Sequence, residues 1–179
     1  MPSNKEIEIK LQYKNKNNII KALGARLIFQ KKTIIIDKYF SATSSSMKNS
    51  KLLLRLRIFK NKYSELTIKG KAREKRNIWH RLEATTKVDD PQVIEFILKS
   101  LGQKKISEYH SEREYWQYNN TKIDFITFTK PDMLKLMEIE GSSEKNIKSI
   151  QQKIQHLTKE VGECIFQHFD KLRDKKRKK

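Results

Sequence analysis

The feature that most constrains the fold is a run near the start of the chain, Lys5-Glu6-Ile7-Glu8-Ile9-Lys10-Leu11, in which charged and apolar side chains alternate without a break. A β-strand sends successive side chains to opposite faces, so Glu6, Glu8 and Lys10 share one face while Ile7, Ile9 and Leu11 share the other. The same division returns along the sequence. Lys51 to Lys60 sets Arg55 and Arg57 against Leu52, Leu54, Leu56 and Ile58, and Tyr63 to Gly70 sets Glu65, Thr67 and Lys69 against Leu66 and Ile68. Asn77 to Thr86 groups Trp79, Arg81, Glu83 and Thr85 on one face. Lys105 to Tyr118 carries Arg113 with Tyr115, Lys122 to Phe128 carries Lys122, Asp124 and Ile126, and Met133 to Gly141 carries Glu138 and Glu140 opposite Met137 and Ile139.

The segments between these strands read as helices and turns. Asn15 to Leu23 is predicted helical, with Asn15 as N-cap, an Ile19, Ile20 and Leu23 stripe, and Gly24 as C-cap. Arg26 to Gln30 and Thr33 to Phe40 carry β-branched and aromatic strand signal and lead into a serine-rich exposed loop, Ser41 to Ser50. Asn61-Lys62 and Asn119-Asn120 suit hairpin turns, Pro131-Asp132 a further turn, and the basic run Lys71 to Lys75 a solvated loop. Asp89-Asp90-Pro91 opens a helix whose stripe, Val93, Phe96, Ile97 and Leu101, is expected to pack over the sheet and to end at Gly102. From Ser143 the period turns helical through Ile147, Ile150, Ile154, Leu157 and Val161, followed by a shorter helix from Glu163 to Leu172.

With 179 residues and no dividing linker, a single domain over residues 1–173 is expected, ending in a basic tail over 174–179. A formal net charge of +19 points to a polyanionic ligand, although many of the lysines serve equally well as a solubilising surface. The single cysteine, Cys164, excludes an internal disulfide and reads as a small buried hydrophobe. The histidines, His80, His110, His156 and His168, lack the spacing of a zinc site. No stretch approaches the roughly 18 apolar residues of a membrane span, and the N-terminus lacks an apolar signal segment, so a cytoplasmic protein without a membrane partner is expected.

An open sheet with one solvated face would account for each strand taken singly. The joint pattern, Arg and Glu paired two apart in strand after strand, points elsewhere. Roughly eight antiparallel strands close into a barrel, and helices laid on its apolar outside put the charges inside. The expected fold is therefore α+β: a closed eight-stranded antiparallel β-barrel with helices packed outside. Buried charges persist only when paired or bound. Lys10, Arg55, Arg57, Lys69, Arg81 and Arg113 then call for an anion. Glu6, Glu8, Glu83, Asp124, Glu138 and Glu140 call for cations beyond the basic residues they can pair with. A phosphate chain with a divalent metal answers both, because guanidinium matches phosphate oxygens and Mg²⁺ or Mn²⁺ prefers carboxylate oxygen.

On these residues the chain resembles the triphosphate tunnel metalloenzymes, the CYTH group of class IV adenylyl cyclase and thiamine triphosphatase. Glu6, Glu8 and Lys10 look like the family's Glu-x-Glu-x-Lys, and Arg55 with Arg57 like its paired arginines. Lys69-Gly70, Arg81 with Glu83, Arg113, Asp124, and Glu138 with Glu140 follow in the family's order. Thr85 stands where a further glutamate is usual, Ser111 where a lysine is common, Lys130-Pro131-Asp132 in place of a Leu-Gly approach, and Glu163-Cys164-Ile165 in place of a Ser-Tyr element.

The resemblance implies metal-dependent hydrolysis of inorganic tripolyphosphate, thiamine triphosphate or a nucleoside triphosphate in a triphosphate tunnel. Lys10, Arg55, Arg57, Lys69, Arg81 and Arg113 would bind phosphates. Glu6, Glu8, Glu83, Asp124, Glu138 and Glu140 would be drawn on to hold Mg²⁺ or Mn²⁺, with Lys10, Glu8 and Asp124 at the chemistry. The rival enzyme is a class IV adenylyl cyclase making cyclic AMP and pyrophosphate from ATP, with Trp79 or Tyr115 stacking on the base. A third reading is a non-catalytic binder of polyphosphate or RNA, aided by Lys175 to Lys179; nucleic-acid contact by this tail is the minor expectation. A monomer or a homodimer is compatible with all three.

Overall fold

In a computed structural model, which describes residues 4–42, 52–60, 62–71, 73–75, 77–161 and 169, the chain builds one large antiparallel sheet curled into a closed barrel. Its elements are β1 (Asn4–Tyr13), α1 (Lys16–Leu23), β2 (Leu27–Ala42), β3 (Leu53–Phe59), β4 (Ser64–Lys69), β5 (Arg73–Lys75) and β6 (Ile78–Val88), then α2 (Pro91–Ser100), β7 (Gln103–Tyr118), β8 (Thr121–Lys130), β9 (Leu134–Glu140), α3 (Glu144–Ile154) and β10 (Thr158–Glu160). The hydrogen-bonded ring runs β1-β9-β8-β7-β2-β3-β4-β6 and closes where β6 pairs with the first half of β1. Closure leaves the eight barrel strands no long free edge. The short strands β5 and β10 extend the ladder on β6 and on the second half of β1.

The period-2 alternation now has two destinations. The outward set of β1, β8 and β9, including Ile9, Leu11, Ile123, Met137 and Ile139, is buried under α1 and α3, which contribute Ile19, Leu23, Ile147, Ile150 and Ile154. Each fully covered Ile or Leu contributes roughly 1.5–3 kcal/mol. Both helices start on side-chain caps, of which Asn15 was expected. The Asn15 side chain accepts the Asn17 N–H, and the Ser143 Oγ accepts the Asn146 N–H. Gly24, at φ 67°, ends α1 in the left-handed region, where a Cβ would be strained.

The second outer cluster is smaller. Leu98 of α2 meets Phe40 and Leu56, with Ile94 alongside. This reverses the expected facing of that helix: Val93, Phe96, Ile97 and Leu101 lie outward, Phe96 and Leu101 at 70% exposure. The helix anchors instead through Leu98 and through Glu95, which pairs with Lys38 of β2.

Other expectations are corrected in the same way. Arg26 to Gln30 and Thr33 to Phe40 form one continuous strand, β2, that takes in Ser41 and Ala42 and pairs along the length of β7. Three residues of the basic run, Arg73–Lys75, are strand rather than loop, because the adjacent edge of β6 offers them a ladder. The helical stripe expected through Leu157 and Val161 stops at Ile154. A 3₁₀ turn follows, and Thr158–Glu160 pairs with β1. The loop residues 43–50, Asn61, the predicted helix from Glu163 with Cys164, and the basic tail lie outside the described residues, Phe169 excepted.

A feature with no counterpart in the expectation occupies one part of the interior. Beyond the charged positions, the inward faces of β2, β7, β8 and β9 carry Tyr39, Tyr109, Ile126, Phe128, Leu134 and Leu136, and Val161 and Phe169 pack on them. Phe169 stacks on Tyr109 with ring centroids 5.1 Å apart and meets Phe128 edge-on at 5.4 Å. The lumen thus has a charged section and an apolar, aromatic section.

Candidate active site

Register places the charged side chains together without any long-range adjustment. Lys10 lies opposite Glu138 and Glu8 opposite Glu140 across β1 and β9, while Asp124 faces Glu138 across β8 and β9. On the other wall Arg57 faces Asp37, Arg55 faces Thr67, and Lys69 faces Glu83. Arg81 faces Glu6 where β6 closes on β1. Every residue nominated from sequence therefore points to the same interior, and most are wholly or largely buried: Glu8, Arg57, Lys69 and Arg113 are each below 9% exposed. Glu140 is the outlier, with its side chain 41% exposed and paired to Lys122 at 3.1 Å. It marks an open end of the charged section.

Side chains link into a network. Lys10 bonds Glu8 and lies 3.7 Å from Glu138. The Arg113 guanidinium donates to Glu138 at 3.2 Å, reaches Asp37 at 3.5 Å and comes within 3.9 Å of Asp124. Arg57 donates through Nε and Nη2 to the two oxygens of Asp37 at 2.7 and 2.9 Å. Lys69 bonds Glu83, with Glu6 at 4.0 Å. Arg55 makes a neutral bond, Nη2 to the Thr67 hydroxyl at 3.3 Å, and that hydroxyl meets Thr85 at 2.9 Å. Asp37 is the residue that sequence reasoning passed over. Its signal was present: an acid among Ile34, Ile35, Ile36 and Tyr39 in a strand, at an inward position.

Proton affinities follow from this packing. Burial raises the Glu8 carboxyl despite Lys10, and raises Glu6 despite Lys69. Burial likewise pushes Asp124 up to about 7, with Glu138 adding to the rise and Arg113 resisting it. Glu138 is buried too, yet Lys10 and Arg113 outweigh that and hold it down to about 2. Burial and the neighbouring Arg55 bring Lys69 down to about 8, against Glu6 and Glu83. Asp37 is held well below the usual carboxylate range, since Arg57, Arg55 and Arg113 overcome its burial.

Two observations bear on metal and anion binding. Among the described residues no three acids or histidines already converge as a ligand set; the acids are engaged with Lys10, Lys69 and Arg113. The donor chemistry nevertheless fits Mg²⁺ or Mn²⁺: the oxygens are all carboxylate, one Glu6 oxygen is buried without a hydrogen bond, and burial raises the Glu6 and Glu8 carboxyls, a rise that a bound cation would oppose. On the anion side, the Nε atoms of Arg55, Arg81 and Arg113 are buried with no hydrogen-bond partner. Buried donors of that kind are costly unless a ligand meets them.

A closed barrel whose inward strand faces gather paired arginines, lysines and glutamates defines a charged-tunnel protein. The chain belongs to the CYTH family, whose domain matches residues 4–172. Solved structures agree on the fold. The PH1012 protein of Pyrococcus horikoshii matches with a TM-score of 0.73 at 23% identity, over 89% of this chain and 96% of its own. A Hippeastrum protein, HpAC1, described as a putative adenylyl cyclase with a dominant triphosphatase activity, matches with a TM-score of 0.74 at 14% identity, over 93% of this chain and 95% of its own. A chain of the Schizosaccharomyces pombe Mediator head module also matches, at TM-score 0.67 and 12% identity, over 88% of this chain and 98% of its own. No curated protein matches the chain in sequence.

Proposed function

We propose that the protein, as a single domain over residues 1–173, is a metal-dependent triphosphatase that hydrolyses a triphosphate inside the barrel. The observation that carries this reading is the set of buried, unpartnered guanidinium Nε atoms of Arg55, Arg81 and Arg113 facing the same interior as the carboxylates of Glu8, Asp124 and Glu138. The inward cations Lys10, Arg57, Lys69 and Arg113 are engaged by Glu8, Asp37, Glu83 and Glu138, whereas among the described residues Arg55 and Arg81 have no carboxylate within ion-pair distance. A triphosphate carries more negative charge than two arginines answer, and Mg²⁺ or Mn²⁺ would supply the remainder by neutralising phosphate oxygens. Glu8 and Glu138, with Glu6, Glu83, Asp124 or Glu140, would hold that cation.

The chain's own residues do the rest. Arg55, Arg57, Lys69, Arg81 and Arg113 bind and align the phosphates, so that catalysis is largely positioning in a site that excludes bulk water. Lys10, between Glu8 and Glu138, orients the terminal phosphate or balances the glutamates. Asp124, pushed up to about 7 by burial and with its side chain 19% exposed, would take the proton from an attacking water.

One observation favours the cyclase as second reading: the Trp79 indole N–H is buried without a partner on the strand face opposite Glu8, where a purine ring would find both a stacking surface and a donor. Incubation with Mg²⁺ or Mn²⁺ and, separately, tripolyphosphate, thiamine triphosphate or ATP, resolved by phosphorus NMR, tests the choice. Orthophosphate is the expected product. Pyrophosphate with cyclic AMP from ATP would replace the hydrolase by the cyclase, and binding without turnover of any of the three would leave a polyphosphate binder.

A further inference from the structure

We propose that Asp37 is a positioning residue: it fixes the guanidinium planes of Arg57 and Arg113 on the two strands that flank β2, leaving Arg55 and Arg81 to take the charge of the phosphate chain. The inference rests on the triphosphate reading and divides labour among cations that the sequence presents as equivalent.

Asp37 is 2% exposed, and both of its oxygens are engaged. Two parallel N–H···O bonds from Arg57 fix the plane of that guanidinium as well as its distance. Arg113 approaches Oδ2 at 3.5 Å while also donating to Glu138, so Asp37 and Glu138 together set its angle between β2 and β9. These two arginines have their charge answered before any substrate arrives. Each nonetheless keeps a donor in hand, and the Arg113 Nε is buried without a partner.

Arg55 and Arg81 are different. Among the described residues neither has a carboxylate within ion-pair distance, Arg55 bonds only to the Thr67 hydroxyl, and the Nε of each is unpartnered. Their charge is what an incoming anion can neutralise. Clamped donors beside arginines that have no direct carboxylate partner, as Arg57 lies beside Arg55 on β3, form an arrangement suited to in-line transfer, in which a small rotation of the phosphate chain is costly to rate.

The test is Asp37→Asn and Asp37→Glu, each assayed for tripolyphosphate binding by calorimetry and for turnover with Mg²⁺. Asparagine keeps the shape and one acceptor but removes the negative charge. It is expected to bind tripolyphosphate as tightly as the wild type or more tightly, while kcat per calorimetrically counted site falls by about 10-fold or more. Glutamate restores the charge but not the position, so affinity returns to the wild-type value while kcat stays low. A merely structural Asp37 would lower the number of binding sites and the melting temperature but leave kcat per site unchanged, and that result overturns the proposal. So does an asparagine variant whose affinity falls in step with its kcat, since Arg57 and Arg113 would then be carrying the charge recognition. A wild-type chain that does not bind tripolyphosphate overturns the triphosphate reading itself, and this proposal with it.

Discussion

At the scale of residues, the site is decided by which buried charges are answered inside the protein and which are not. Arg55 is answered only by a hydroxyl, so Arg55→Ala is expected to weaken kcat/KM for the triphosphate by about 1.5–3 kcal/mol, the range for hydrogen bonds to charged groups, and chiefly through KM. Glu138 contacts Lys10 and Arg113 at once. Replacing it by Ala removes a candidate metal ligand and leaves both cations under-compensated, so metal-dependent orthophosphate release should fall at least about 100-fold. Asp124 gives the pH dependence. As the proton acceptor it works when ionised, so kcat/KM, which reports the free enzyme, should rise with pH through about 7, and Asp124→Asn should abolish that limb. Linkage sets the matching stability effect. A carboxyl raised from 3.8 to about 7 is bound more tightly by its proton in the folded state, so its contribution to stability declines as pH rises through that window. The asparagine variant, melted without metal or substrate, should lack that decline.

At the scale of elements, strand facing was legible and helix facing only in part. Alternation in β1, β3, β4, β6 and β9 assigned Glu6, Glu8, Arg55, Arg57, Lys69, Arg81, Glu138 and Glu140 to the correct side, because a strand has only two faces and one of them must be dry. The starts of α1 and α2 were legible through Asn15 and Asp90, whose side chains accept local N–H groups. For α2 the apolar residues surround more of the helix than a single stripe, and composition does not say which arc meets the barrel. The structure selects Leu98 and Ile94. Leu98→Ala should therefore cost about 2–5 kcal/mol in denaturant unfolding, as for other buried leucines. Phe96→Ser, at a position 70% exposed, should change stability by no more than about 0.5 kcal/mol. The basic run containing Arg73–Lys75 went unread as strand because its pairing depends on the edge of β6, a partner not encoded within the run itself.

At the scale of the whole molecule, closure of the sheet turns a set of ordinary charged strand faces into one enclosed interior. Ligand binding there couples to global stability. Tripolyphosphate with Mg²⁺, at 100 times its dissociation constant, should add about 2.7 kcal/mol to unfolding, and chelation of the metal should remove most of that gain. Most of the net charge of +19 lies outside this interior, where Lys10, Arg57, Lys69 and Arg113 are each engaged by a carboxylate. Salt should accordingly slow substrate capture more than it disturbs the buried network.

The sequence by itself determined the division of the strands into charged and apolar faces, the acids and bases available to a site, and the caps that start two helices. All of these are set by period-2 geometry or by bonds spanning a few residues. Only the tertiary structure decided that Asp37 clamps Arg57 and Arg113, that Arg55 and Arg81 keep unanswered charge, and that Tyr39, Tyr109, Phe128 and Phe169 fill one part of the lumen. Long side chains meet partners on adjacent or next-but-one strands that are far away in sequence, so which charges meet depends on strand register and on closure of the ring.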